Sequence, residues 1–298
     1  MQIANPIYDV VFKYLMEDTE IAKLIIGTII GEDIVVLKFL PQESTIFSEA
    51  RSLTVYRLDF SAKIKLPDGG QKQVLIEIQK AKFSTDIMRF RRYLGEQYQN
   101  KSNTYLTPLD DEGKTERQAI PIVTIYFLGY PLEYATAPII KVTRHYYDAT
   151  TGEEIQTREK FIESLTHDSY VIQIPHLRPQ RKSDIEQLLT IFDQRRITVD
   201  KHIMTINESN YPEPYWSIIR RLQEVIATPE VRRTMHAEDE ILEELAMMER
   251  EIERKNKLLV EQQQALSEKD KVVAEQQQIL SEKDKLIEEL QKRLESLA

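Results

Sequence analysis

Residues 55–79 read VYRLDFSAKIKLPDGGQKQVLIEIQ and decide the fold. Two runs, about 54–66 and 72–79, flank Pro67-Asp68-Gly69-Gly70. Proline followed by aspartate and glycines is a tight-turn signature between two strands. The stretch therefore predicts a β-hairpin.

The turn also predicts which residues of the hairpin face each other. With Asp68 at its centre, residues equidistant from Asp68 are opposite in the two strands. One face is then apolar, with Leu58 opposite Ile78, Phe60 opposite Ile76 and Ala62 opposite Val74. On the other face Asp59 is opposite Glu77, and Arg57 is opposite Gln79.

The pairing of Asp59 with Glu77 predicts a metal site. Directly opposite residues lie roughly 5 Å apart at Cβ, and like charges placed there are destabilising without compensation. A divalent cation is the simplest compensation. Because Mg²⁺ takes carboxylate and carbonyl oxygens together with water, we expect Asp59, Glu77 and the carbonyl of Ile78 to hold Mg²⁺ or Mn²⁺. Gln79 is on the same face as Glu77 and is expected to orient a water or a phosphate oxygen.

The segments around the hairpin predict the rest of an α/β core. Arg89 and Tyr93 share one face of the helix that follows the hairpin, while Phe90 and Leu94 turn to the core. In chain order the predicted elements are a helix near 6–17 capped by Asn5-Pro6, a helix over 19–30 ending at Gly31, a strand at Ile34–Phe39, the hairpin, a helix near 84–101 and a strand at Ile120–Leu128.

The pattern is weaker between about 130 and 205. Lys141–Tyr147 and Tyr170–Ile174 are candidate strands, and Ser183–Arg195 is a candidate helix with Ser183 as its cap and Glu186 at the third position. We assign these elements to the same domain. Residues 207–214, rich in Asn and Pro, indicate a boundary before further helical sequence.

The C-terminal part contains a repeat of two heptads. LLVEQQQALSEKDK at 258–271 is followed by VVAEQQQILSEKDK at 272–285. Apolar residues recur every seven residues at heptad position a, from Leu245 to Leu294, which predicts a self-associating coiled coil. Polar d positions such as Lys269 and Gln276 specify a parallel zipper only weakly. A solvated single helix is the alternative.

Composition limits the chemistry that the chain can perform. The absence of Cys excludes disulfides, thiolate zinc sites and cysteine nucleophiles. The net charge is -9, but residues 237–298 hold 17 acidic and 10 basic residues, so the acidity belongs mostly to the tail. Residues 79–101 hold six basic and two acidic residues, so this segment is locally basic and is a modest candidate for phosphate binding.

The five histidines lack metal-ligand spacing and are interpreted as structural. No signal sequence or long apolar segment is recognisable, so we expect a cytoplasmic protein outside the membrane.

These residues resemble the PD-(D/E)XK nuclease family transposases, also called recombination-promoting nucleases. The likeness covers about residues 5–130. It combines NPIYDVVFKYLMED at the N-terminus, D59-x17-E77-x-Q79, R89FRRY93 and the strand IPIVTIYFL, in the expected order.

The resemblance implies a fold, an activity and roles for named residues. The fold is a restriction-endonuclease-like αβββαβ core, here with a long C-terminal helix or coiled coil, and the activity is Mg²⁺-dependent DNA endonuclease. The implied residues are Asp59 and Glu77 as metal ligands, Gln79 in place of the motif lysine, Arg89 with Tyr93 as the R-x3-Y element, and Asp9 with Lys13 as the D-x-x-FK opening. Arg89, Arg92 and Lys13 are the candidates for contact with DNA phosphates, and Asp9 and Tyr93 are supporting residues.

The prediction for the whole chain is a nuclease-like domain over 1–206, a helical linker over 207–236 and a coiled-coil tail over 237–298. The predicted partners are DNA and a second copy of the chain. The competing hypothesis is a catalytically degenerate nuclease fold that acts as a DNA-binding or coiled-coil assembly module. Magnesium binding would separate the two hypotheses, because the binding module has no need for the ion.

Overall fold

The computed structural model describes residues 1–47, 52–65, 71–81, 87–108, 115–178 and 183–295. The chain divides into two compact units, Met1–Glu238 and Asp239–Ala298.

The first unit is mixed α/β. Its strands are β1 Gln2–Ala4, β2 Ile34–Phe47, β3 Ser52–Lys65, β4 Gln71–Ala81, β5 Thr104–Pro108, β6 Thr115–Ala119, β7 Ile122–Leu128, β8 Ile139–Val142, β9 Tyr146–Tyr147, β10 Glu154–Ile155, β11 Asp168–Gln173 and β12 Ile203–Thr205. The helices are α1 Asp9–Met16, α2 Thr19–Ile30, α3 Ile87–Gln99, α4 Lys160–Leu165, α5 Asp184–Leu189, α6 Trp216–Ile226 and α7 Pro229–Glu295, of which α7 continues into the second unit.

Six strands form the central sheet in the order β2-β3-β4-β7-β11-β8. The pairs β2–β3, β3–β4 and β11–β8 are antiparallel, while β4–β7 and β7–β11 are parallel. The predicted chain order of a helix, three strands, a helix and a strand is confirmed at this level. Helix α3 provides the crossover that the parallel β4–β7 pair requires.

The predicted register of the hairpin is confirmed where β3 and β4 pair. Leu58 pairs with Ile78, Asp59 with Glu77, Phe60 with Ile76 and Ala62 with Val74. The ladder ends at the pair of Leu58 with Ile78, so the expected pairing of Arg57 with Gln79 is not part of it. The turn at 66–70 lies outside the described residues.

One face of the sheet carries the main hydrophobic core, which includes residues of α1, α2, α5 and α6. Phe60 and Ile76 of the hairpin are buried in it. Phe12 of α1 meets Phe127 of β7 with ring centroids 5.3 Å apart, and Phe192 lies 5.3 Å from Phe127. Edge and tilted contacts of this kind add to the stabilisation that aromatic burial provides.

Helix α3 covers part of the opposite face. Phe90 packs on Tyr126 of β7 with ring centroids 5.1 Å apart. Leu94 packs in a smaller cluster with Leu75 and Ile120. The sheet therefore has apolar contacts on both faces, as expected for a sheet with parallel pairs.

The predicted start of the first helix is wrong. Helix α1 begins at Asp9, after Tyr8. Asn5 does not cap the helix, because its side chain forms tertiary hydrogen bonds. The Asn5 side chain donates to the Lys201 carbonyl and the Gln194 side chain, both at 2.9 Å, and accepts from the Ile7 amide at 3.1 Å.

Other element boundaries were only partly predicted. Gly31 ends α2 with φ of 72°, as expected. The capping box of Ser183 with Glu186 is present, but α5 ends at Leu189 and gives way to short 3-10 turns. The candidate strand Lys141–Tyr147 is two strands, β8 and β9, and the β5–β6 hairpin was not foreseen. For the helix near 84–101, residues 84–86 lie outside the described residues.

Residues 207–236, expected to be a linker, contribute to the core of the first unit. Helix α6 buries Ile218, Ile219, Leu222 and Val225. Strand β12, just before this segment, pairs with β1, so that the N-terminus is held against residues 203–205.

The second unit is the continuation of α7, so a long C-terminal helix is confirmed. Among the side chains that the structure describes, its bulky apolar residues from Leu258 to Leu280, and Ile287, are exposed in the single chain. Among the described helices, none has the length and apolar character that a membrane crossing requires.

Replacing Gly31 with alanine should destabilise the first unit. A left-handed φ costs about 1 kcal/mol for a residue with a Cβ, whereas an added Cβ would meet nothing within 4 Å, so backbone strain alone should act. Gly31→Asn should cost less. Gly95→Ala is the matched control, because Gly95 lies inside α3 with similarly open space and alanine should there be neutral or stabilising. Urea unfolding monitored by circular dichroism measures all three variants, and equal stability of Gly31→Ala and wild type would contradict the assignment.

Candidate active site

A row of polar positions crosses four neighbouring strands of the central sheet. Asp59 of β3 pairs with Glu77 of β4, Glu77 pairs with Thr124 of β7, and Thr124 pairs with Ser169 of β11. Directly paired residues of neighbouring strands lie on the same face of a sheet. We call these four positions the polar row.

The polar row lies on the α3 face of the sheet. Side chains alternate between faces along a strand, and Phe60, Ile76 and Ile78, the neighbours of Asp59 and Glu77, are buried in the core on the α1 face. The hydrophobic core of the first unit thus fixes the face on which both acidic residues are placed.

Apolar positions border the polar row on its own face. Two residues back along the strands, Leu75 pairs with Ile122, and both are buried. Two residues onward, Gln79 pairs with Tyr126, and Tyr126 pairs with Val171. The ring of Phe90 from α3 stacks on Tyr126. This surrounding apolar packing places the polar row beside α3, the helix that carries the predicted phosphate ligands.

The inner end of the polar row is a hydrogen-bonded hydroxyl pair, in which Thr124 is buried and Ser169 is partly exposed. The Thr124 hydroxyl donates to the Ser169 hydroxyl at 2.8 Å, and Thr124 has no exposed surface. A buried hydrogen bond costs more to leave half-made than it contributes when complete. The pair therefore fixes the relative position of β7 and β11 beside Glu77.

The nearby carboxylate of Asp168 is held by an ion pair. Arg144 Nε donates to Asp168 Oδ1 at 3.0 Å, and the same guanidinium meets Glu163 Oε2 at 2.9 Å. The Arg144 side chain is mostly buried, so these contacts are stronger than those of a surface pair. Burial lowers the pKa of the adjacent His167, and the charge of Arg144 lowers it further. These groups serve to fix the start of β11.

The structure gives the backbone positions of Asp59, Glu77, Gln79 and Arg89, whereas their side chains lie outside the described residues. The pairing of Asp59 with Glu77 and the position of Gln79 two residues beyond Glu77 follow from the ladder. The proposed metal coordination by Asp59, Glu77 and the Ile78 carbonyl remains a prediction, as does the phosphate contact of Arg89.

Arg92 and Tyr93 of α3 differ in their exposure. Arg92 is exposed, and its guanidinium carbon lies 5.2 Å from the centroid of the Tyr93 ring. Tyr93 is buried, so it supports the packing of α3. Arg92 is thus accessible to phosphate while its orientation is favoured by the aromatic ring.

The structure does not bring Asp9 and Lys13 to the polar row. Both belong to α1, which packs on the opposite face of the sheet through Phe12. The backbone amide of Asp9 donates to the carboxylate of Glu238 at 3.0 Å. This contact stabilises α1, because a negative charge at the N-terminal end of a helix interacts favourably with the helix dipole.

Thr124 and Ser169 were missed because their place beside Glu77 depends on two parallel strand pairings that local sequence does not encode. A contact between His202 and His236 was missed because the two residues are far apart in the sequence. Their rings lie 4.3 Å apart in an edge-to-face arrangement, although 33 residues separate them in the sequence. His202 is buried, and its Nδ1 lies 3.3 Å from Asp200 Oδ1.

Comparison of the chain with protein-family models, curated proteins and solved structures found no match. The functional interpretation of the polar row therefore depends on its geometry and on the motif that the sequence carries.

The costs of removing the two hydroxyls should not add, because each hydroxyl is the hydrogen-bond partner of the other. Ser169→Ala should cost about 1–2 kcal/mol, because it leaves the buried Thr124 hydroxyl unsatisfied. Thr124→Val should cost less, because the Ser169 hydroxyl that it leaves belongs to a partly exposed residue. The double variant should cost less than the sum of the two. Denaturant unfolding of the four proteins gives the coupling energy, and strict additivity would mean that the two hydroxyls do not act together.

Proposed function

We propose that this chain is a Mg²⁺-dependent DNA endonuclease with a restriction-endonuclease-like core. The observation that carries the proposal is the direct pairing of Asp59 with Glu77 in the central sheet, two residues before Gln79. The proposed setting is the cytoplasm, in mobile-element recombination or in defence against foreign DNA.

The donor set suits a hard divalent cation. Two acidic residues at directly paired positions repel each other unless a cation or proton compensates them. Their carboxylates and the Ile78 carbonyl offer oxygen ligands, and this incomplete set leaves places for the water that Mg²⁺ keeps. When bound, the ion makes water a better nucleophile near neutral pH and stabilises the charge that develops on the phosphate.

Gln79 has a different task from the two acidic residues. Its amide is neutral, so it adds no charge to attract the ion, but it both donates and accepts hydrogen bonds. We assign it the role of orienting the attacking water against the phosphate. Lys63 or Lys65 of β3 would supply the positive charge that a motif lysine gives in related nucleases.

The substrate assignment rests on the cationic helix α3. Arg91 and Arg92 are exposed there, and Arg89 is on the same helix, which follows the strand that holds Glu77 and Gln79. Guanidinium groups bind phosphate in a bidentate manner. Arg89 and Arg92 would therefore hold the DNA backbone, whereas Lys13 would require DNA that also reaches the α1 face.

The tail would associate two copies of the chain. Its apolar heptad positions are exposed in the single chain, and burial of such surface contributes about 25 cal/mol per Å². Two associated copies carry two active sites, one for each DNA strand.

Asp59→Asn and Glu77→Gln should each abolish DNA cleavage. Loss of a metal ligand should reduce the rate by orders of magnitude, because both the ion and its positioning are lost. Plasmid cleavage in Mg²⁺ or Mn²⁺ measures the activity, and calorimetric titration with Mn²⁺ measures metal binding. Glu116→Gln is a matched control, since Glu116 is an exposed acidic residue on β6.

A folded Asp59→Asn protein that cleaves within a few-fold of wild type would overturn the assignment. Wild-type protein that binds DNA but neither Mn²⁺ nor Mg²⁺ would instead favour the degenerate binding module.

Gln79→Ala should lower cleavage while metal binding persists, because the amide acts on water and not on the charge of the ion. Gln79→Lys should keep activity, because the ammonium group of lysine can also orient the water. Parallel Mn²⁺ titrations and cleavage assays on the two variants check this division of roles. Loss of metal binding in Gln79→Ala would contradict it.

A further inference from the structure

The tail presents pairs of exposed apolar residues at regular intervals along α7. Leu258 and Leu259 are the first pair, and similar pairs recur every seven residues at heptad positions g and a. The described members with bulky side chains each expose between 50% and 63% of their surface: Leu258, Leu259, Leu266, Val272, Val273, Ile279, Leu280 and Ile287. We call this surface the tail stripe.

Polar residues run along the middle of the tail stripe. In a heptad helix of 3.5 residues per turn, position d lies about 50° from both a and g, and therefore between them. The d positions are Gln262, Lys269, Gln276 and Lys283, an alternation of amide and ammonium. Whatever covers the stripe must accept a lysine at every second d position.

A parallel, in-register pair does not meet this condition well. It would place Lys269 against Lys269 of the second copy and Lys283 against its own equivalent. Like charges in the centre of an interface are destabilising and select against that arrangement. A parallel pair shifted by one heptad would avoid these contacts, but it lacks a closed twofold axis and leaves unpaired ends.

An antiparallel pair meets the condition with a closed twofold axis between Val272 and Val273. Residues equidistant from that axis are then at the same level, so Lys269 meets Gln276 of the second copy and Gln262 meets Lys283. The apolar pairs also coincide, with 265–266 at the level of 279–280 and Val272 at the level of Val273. A shift of one heptad in either direction would restore a lysine–lysine level.

We propose that the tail stripe binds the same stripe of a second copy of this chain, antiparallel and centred between Val272 and Val273. The inference rests on the proposed self-association and adds its direction and register. It places the N-terminal ends of the two paired segments, each covering residues 258–287, about 45 Å apart at 1.5 Å per residue.

Cysteine cross-linking tests the register cleanly, because the chain contains no Cys. In the antiparallel pair Leu259 and Ile287 of the second copy are both at heptad position a, and their levels differ by one residue, about 1.5 Å. Leu259→Cys and Ile287→Cys proteins, one of them carrying a mass tag, are mixed under denaturing and reducing conditions, refolded together and oxidised in a glutathione buffer. The mixed disulfide should outweigh the two homodisulfides by at least about tenfold, equivalent to about 1.4 kcal/mol.

The control uses Gln264→Cys and Gln278→Cys, which lie at heptad position f on the side away from the stripe. This mixture should give no enriched disulfide. Light scattering on each full-length protein before oxidation should give twice the mass of one chain.

The outcomes separate direction from association. Predominant homodisulfides at 259 and 287 would mean a parallel pair and would overturn the proposal, and so would a dimer with no disulfide at either position. A monomeric mass would refute self-association itself, with no bearing on metal binding by the first unit.

Discussion

The antiparallel register of β3 with β4 is the constraint on which the rest of the structure depends. Because side chains alternate along a strand, this register places Phe60 and Ile76 in the hydrophobic core and Asp59 and Glu77 on the opposite face. A slip of one residue would exchange the two faces and bury acidic residues among aromatic rings. Pairing two acidic residues is unfavourable by itself. The packing energy of the core therefore maintains this pairing.

The parallel strands extend this arrangement into a site. Helix α3 crosses from β4 to β7, and the register of that pair brings Thr124 beside Glu77. The hydrogen bond from Thr124 to Ser169 then links the site to β11. The same crossover helix carries exposed Arg91 and Arg92, so the proposed metal ligands and phosphate ligands are contributed by consecutive elements of one β-α-β unit.

The hairpin was predictable because its pairing depends on local information, namely a turn at its centre and alternation on each side. The capping of α5 by Ser183 and the end of α2 at Gly31 were predictable for the same reason. The places of Thr124 and of Asn5 were not, because their partners are far away in the sequence: Ser169 for one, Gln194 and Lys201 for the other. Asn5 before Pro6 has the composition of a helix cap, but tertiary hydrogen bonds took precedence over that local preference.

The most direct test of the central claim is a crystal structure of the protein soaked in Mn²⁺, with anomalous scattering used to locate the ion. The account predicts an anomalous peak on the α3 face of the sheet, within coordination distance of Asp59, Glu77 and the Ile78 carbonyl. A well-ordered sheet with no peak there, or with manganese bound only elsewhere, would contradict it.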